Sequence, residues 1–143
     1  MTGLLHQIEI DRPASKVYDR LTSAAGLRGW WTGDSVAKPE VGSIAEFGFG
    51  ERSTRFRMRV DELVPDRRVV WSCIGDVEEW RGTRLVWEIV GDANQCALKF
   101  RHADWRSTTD WFAPCNTTWG HLMHYLKGYA EGARPGPFFT GKA

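Results

Sequence analysis

His102, a few loop carboxylates and the cysteines are the side chains of this sequence best suited to chemistry. His102 closes the run Leu98-Lys99-Phe100-Arg101-His102, and strand alternation puts it on the apolar side with Leu98 and Phe100. An imidazole at the edge of an apolar interior can hydrogen-bond a ligand carbonyl or hydroxyl, or move a proton near neutral pH. The plainer reading is a core histidine satisfied by backbone or by nearby Asp104. Glu78 and Glu79 precede Trp80, and Asp110 precedes Trp111, in loops able to rim a cavity mouth; solvated loop charge is the simpler account of all three.

Two further groups invite a sharper reading. His121 and His124 stand three apart, a spacing that on a helix can bring two imidazoles to one ion. At about 100° per residue both fall opposite the apolar stripe of that helix, and no third ligand has a position, so no metal site is expected. Cys115 lies just ahead of the same helix, where a thiolate can feel the positive helix end, although no histidine stands out as its partner. The sequence contains no phosphate-binding glycine loop, nucleophile elbow or zinc-protease motif, and no cofactor is expected.

The elements that must position these groups follow from hydropathy. A first strand is predicted over 4–11, a helix over 14–21 entered through Arg12-Pro13, and a second short helical turn over 22–29. Gly33, Pro39 and Gly42 mark a loop. Strands are predicted over 43–49, 53–63, 67–74, 83–90 and 95–103, joined by turn chemistry at Pro65-Asp66 and Gly91-Asp92-Ala93-Asn94, which argues for an antiparallel meander. Phe56, Met58 and Val60 face one way while Arg55, Arg57 and Arg59 face the other. Trp71 is ambiguous, because Val69-Trp71-Cys73 and Val70-Ser72-Ile74 are balanced as inward sets. A closing helix over 116–131, capped by Asn116, carries the stripe Trp119, Leu122, Met123, Leu126 and Ala130.

Composition bounds the rest. The 143 residues suit one domain spanning 1–143, long enough to bury a core or enclose a modest pocket. Lys plus Arg total 19 against 18 Asp plus Glu, so no bulk field draws nucleic acid or anionic membrane. The Arg55-Arg57-Arg59 face is diluted by Glu46, Asp61 and Glu88 and has no stacking aromatics, which reads as a solvated sheet surface. Three cysteines without a CxxC fit free thiols in a reducing compartment, and a cytoplasmic location is expected. No apolar run is long enough to span a bilayer, and the N-terminus lacks the pattern of a signal peptide. Eight tryptophans on separate elements suit either a bulky core or a lined cavity.

The order of these pieces resembles a known family. The carriers are Pro13-Ala14 with Val17-Tyr18, the Trp30-Trp31-Thr32 step, 60–65 leading to Val70-Trp71, Trp80-Arg81-Gly82-Thr83, 98–102, and Trp119 through Leu126-Lys127 to Gly132. Together they are similar to the START-like or SRPBCC superfamily, and within it to the branch named for the activator of the heat-shock-protein-90 ATPase. The resemblance covers nearly the whole chain, with Thr118-Trp119 standing where the branch often has Gly-Trp. It implies an α+β helix-grip fold, a curved antiparallel sheet wrapped around a long C-terminal helix, with two short helices after the first strand. It also implies a cavity between sheet and helix, with Trp30, Trp31, Phe56, Met58, Trp71, Trp87, Phe100, His102, Trp119 and Met123 as candidate lining; a filled dry core is the alternative. The expected function is binding of a small, mainly apolar molecule there. The alternatives are a cyclase, dehydratase or hydrolase working in the same pocket through His102 and a rim carboxylate, and a protein-interaction module acting on a chaperone. For the last, no chaperone-binding motif can be located residue by residue; a homodimer is compatible with all three.

Overall fold

The computed structural model describes residues 2–51, 53–75, 77–106 and 112–139. Strand β1 (Thr2–Ile10) leads into two short helices, α1 (Ala14–Thr22) and α2 (Ala24–Trp30). Six strands follow: β2 (Asp34–Val36), β3 (Ile44–Phe49), β4 (Thr54–Val64), β5 (Arg68–Gly75), β6 (Arg84–Gly91) and β7 (Cys96–Trp105). Helix α3 (Phe112–Ala130) closes the order. All seven strands form one antiparallel sheet in the order β1-β7-β6-β5-β4-β3-β2. The meander is therefore sequential from β2 to β7, and β1 closes onto its last strand. Irregular pairing at Arg57/Met58 and Val60/Glu62 bends the long strand β4, which lets the sheet curve toward α3.

Local chemistry explains the boundaries. Ser23 ends α1 in an extended conformation, and its Oγ accepts from the Gly26 N–H at 2.9 Å to cap α2. Gly29 allows the helices to close on one another, since a side chain there would collide with the Tyr129 ring of α3. The β6–β7 turn is organised by Asp92 Oδ1, which accepts from the N–H groups of Asn94 at 2.7 Å and Gln95 at 3.2 Å.

Three expectations need correction. The closing helix starts four residues earlier than Asn116, at Phe112, because Pro114 falls in the first turn, where a missing N–H is harmless. Asn116 does not cap it; its side chain pairs with His6 of β1. Strand β2 lies inside the stretch read as loop, three residues being too few to show a period. The ambiguous strand β5 points Val69, Trp71 and Cys73 inward, while Val70 pairs with Val86 on the outer face and is buried there as well. Burial on both faces is what erased the alternation.

The outer face is polar and internally paired. Arg55 lies 3.5 Å from Glu46, Arg59 donates to Asp61 at 2.7 Å, and Arg68 lies 3.3 Å from Glu62 and 3.4 Å from Glu88. Carboxylates interleave the arginines, as expected for a solvated sheet surface. Helix α3 packs on the opposite face, with the Trp119 ring 4.5 Å from that of Phe100.

Candidate functional site

The inward face is an aromatic cluster. Trp87 stacks on Phe100 at 4.0 Å and meets Trp30, Trp71 and Trp119 edge-on at 5.7–6.0 Å. Trp31 sits between Phe47 at 4.3 Å and Trp119 at 5.3 Å, and runs parallel to Trp71 at 6.3 Å. Trp30 donates its indole N–H to Arg20 C=O at 2.9 Å, so the first of the paired tryptophans ties α2 to α1.

Behind this cluster His102 is fully enclosed and doubly bonded. Trp119 Nε1 donates to His102 Nδ1 at 3.1 Å, and His102 Nε2 lies 2.9 Å from Thr83 Oγ1. An indole nitrogen only donates, so Nδ1 is the bare acceptor and Nε2 carries the proton, donating to the threonine hydroxyl. That hydroxyl in turn donates to Trp80 C=O at 2.6 Å. Burial pushes the imidazole pKa down from 6.5 to about 3, which keeps it neutral. Both ring nitrogens are used, leaving no role for Asp104 as their partner. The chain of bonds holds two indoles in place: Trp119 by its N–H, and Trp80 through the tight turn before β6, where Gly82 takes φ +84°.

Those two indoles wall a cavity of about 270 Å³ between the sheet and the N-terminal half of α3. Phe56, Trp80 and Trp119 form a near-parallel stack along one side, with ring separations of 4.1 and 5.9 Å. Trp31, Phe49 and Phe139 form the other, and Leu122 adds an aliphatic surface. Among the described lining residues, the polar side chains other than the indoles are Thr54, Cys115 and Thr118, and none is charged. Phe139 belongs to a C-terminal strap. The Phe138 and Phe139 N–H groups donate to Trp30 and Trp31 C=O at 3.1 and 2.8 Å, and the Gly33 N–H donates to Phe139 C=O at 3.0 Å. Its ring meets Phe49 edge-on at 4.8 Å.

Of the ten lining candidates, Trp31, Phe56 and Trp119 reach this cavity. Trp30, Met58, Trp71, Trp87, Phe100, His102 and Met123 are buried in the packed interior behind it. The middle of the sheet is filled because its rings stack on one another; this cavity opens toward the strand ends, where α3 begins. Sequence reasoning missed Trp80, Phe49 and Phe139 as lining. Alternation along Ala45-Phe47-Phe49 was the signal for Phe49, whereas Trp80 and Phe139 lie in segments without a period. Glu78 is exposed and bound up with Arg81 and Arg106, while Asp110 and Trp111 lie outside the described residues. His121 and His124 are exposed, and no cluster of potential metal ligands occurs among the described residues. No helix of the described residues is long and apolar enough to cross a membrane.

Comparison with known proteins follows the same outline. The sequence profile of the family described as "Activator of Hsp90 ATPase homolog 1-like protein" matches residues 11–131. The solution structure of the Aha1 dimer from Colwellia psychrerythraea is 33% identical, covers 94% of this chain and 99% of its own, and superposes with a TM-score of 0.85. MLL2253 from Mesorhizobium loti is 13% identical over 88% of this chain and 94% of its own, with a TM-score of 0.75. CalU16 from Micromonospora echinospora is 15% identical over 93% of this chain and 76% of its own, with a TM-score of 0.73. The last two likenesses are of fold. No curated protein matches the chain in sequence.

Proposed function

Because the chain belongs to the family of activator of Hsp90 ATPase homolog 1-like proteins, within the START-like helix-grip superfamily, we propose that it holds a small, uncharged, apolar molecule between its sheet and α3. The observation that carries this reading is the cavity of about 270 Å³ with aromatic walls and no charged residue among its described lining. Apolar cavities of about 150 Å³ accept one benzene ring, so this one suits a ligand of about two fused or linked rings. Stacked and edge-on indoles favour a flat partner, and Thr54 and Thr118 offer hydroxyls to a single polar substituent.

Binding is favoured over catalysis by the state of His102. The imidazole is neutral, spent on Thr83 and Trp119, and separated from the cavity by the rings it positions. A general acid or base must reach the reacting atoms directly or through one water, and this one does not. A fluorescent naphthalene derivative tests the reading. It should bind the folded protein saturably at one site, with affinity reduced by about tenfold in Phe56→Ala and by less than about twofold in Val70→Ala on the outer face. Signal that rises only as the protein unfolds would overturn it.

We also infer self-association, on the ground that the 33% identical relative is described as a dimer over almost the same length of chain. This reading is independent of the cavity.

A further inference from the structure

We propose that Cys115 is a covalent capture site for small, neutral, ring-bearing electrophiles of the α,β-unsaturated carbonyl class, which reach it from inside the cavity. The inference rests on the ligand-binding reading of that cavity.

Three observations converge on this thiol. Cys115 sits in the first turns of α3, is only partly buried, and forms part of the cavity wall. The other two cysteines, Cys73 and Cys96, are 2% and 4% exposed and lie elsewhere in the core, so position alone separates the three. The second observation is an orphan donor. Trp80 is 4% exposed and lines the same cavity, and its indole N–H makes no regular hydrogen bond. The group it faces is the Cys115 thiol. A buried indole N–H without an oxygen acceptor is a standing deficit, relieved when the sulfur in front of it gains negative character. That happens when the thiol ionises to the thiolate that attacks, and the charge leaves the sulfur again as the carbon–sulfur bond forms.

The third observation concerns selectivity. Burial raises the Cys115 pKa above its ordinary value; the Trp80 N–H pulls it back in part, and the charge of Glu79 adds to the rise. The resting group is therefore a thiol, slow toward reagents arriving from water. What the site offers instead is proximity: a flat, uncharged ring system held between Trp80 and Trp31 spends its bound time beside the sulfur. In the addition, sulfur bonds to the β-carbon, the carbon–carbon π bond breaks, and the thiol proton leaves through solvent at the mouth. A proton returns to the α-carbon, so the adduct equals protein plus reagent and no oxidant or reductant is needed. A carboxylate on the same ring would have to give up its hydration to enter a cavity whose described lining carries no charge.

The test uses the full chain and two maleimides of matched intrinsic reactivity, N-phenylmaleimide and its 4-carboxyphenyl analogue, with N-acetylcysteine amide as the reference thiol. Intact-protein and peptide mass spectrometry should show one adduct, at Cys115. The neutral reagent should react there at least about tenfold faster than the charged one relative to their ratio on the reference thiol. Excess naphthalene should slow it, and Cys115→Ser should show no adduct. Equal neutral-to-charged ratios on protein and reference thiol, or labelling at Cys73 or Cys96 first, would overturn the proposal. Naphthalene-dye binding to Cys115→Ser separates the two ideas. Binding retained without selective labelling sinks covalent capture alone, and loss of saturable binding in both proteins sinks the ligand reading as well.

Discussion

His102 shows how a residue legible in its direction was illegible in its role. Strand parity along Leu98, Phe100 and His102 was enough to send the imidazole inward, and it is fully buried. Its partners come from Thr83, nineteen residues earlier, and Trp119, seventeen later, and no local pattern reports contacts at that range. The bonds make a prediction about acid. A base whose folded pKa lies near 3 rather than 6.5 leaves the native state with fewer protons than the unfolded chain, so its contribution is intact above about pH 6.5 and falls away as pH drops toward 3. Between pH 7.5 and 5, urea denaturation should show wild type losing about 2 kcal/mol more than His102→Gln. Glutamine keeps an acceptor for Trp119 and a donor for Thr83 but does not titrate. The lowered pKa values of His6 and Glu131 are common to both proteins and drop out of the difference. Parallel pH dependences would show that His102 is not held neutral.

At the scale of elements, the strands were readable where one face is wet and unreadable where both are covered. β4 alternates Phe56, Met58 and Val60 against arginines and so declares its sides; β5, with Val70 buried against Val86 behind it, does not. Part of the cavity wall escaped for a related reason. The turn carrying Trp80 and the Phe138-Phe139 strap lack the length to show a period, whereas Phe56 and Trp119 lie on periodic elements and were legible. The strap gives the sharpest test of this division between core and wall. Phe139 is half-buried and held by backbone bonds that a side-chain change leaves in place, so Phe139→Ala should reduce stability by only about 1 kcal/mol. It also removes one wall, so dye affinity should fall by about tenfold. Trp87→Ala should do the reverse, losing about 3–5 kcal/mol of stability with the cavity lining itself untouched. Chemical denaturation and dye titration of the two variants read both quantities. If Trp87→Ala weakens dye binding more than Phe139→Ala does at equal fraction folded, the ligand sits deeper than the cavity described.

For the whole molecule, the sheet's two free edges decide how copies could meet. β1 forms one edge and β2 the other. On the β1 edge Leu5 is 74% exposed, but it pairs across to Arg101 and is followed by Gln7 beside Lys99, an isolated apolar residue among polar ones. On the β2 edge Val36 at 48%, Val41 at 61% and Ile44 at 43% exposure follow one another around the connection from β2 to β3. A short edge strand with adjacent exposed apolar side chains is the combination that invites a second sheet. If the chain self-associates as the 33% identical relative is described to do, this edge is the better place for it. Sedimentation equilibrium should then show a dimer whose dissociation constant rises at least about tenfold in the double variant Val41→Lys, Ile44→Lys. Leu5→Lys should change it by less than about twofold. All three residues are exposed, so folding and dye binding should survive both changes, and loss of the dimer can be read apart from loss of the fold. A monomer at every concentration would remove the self-association reading, and a dimer broken by Leu5→Lys alone would move the contact to β1.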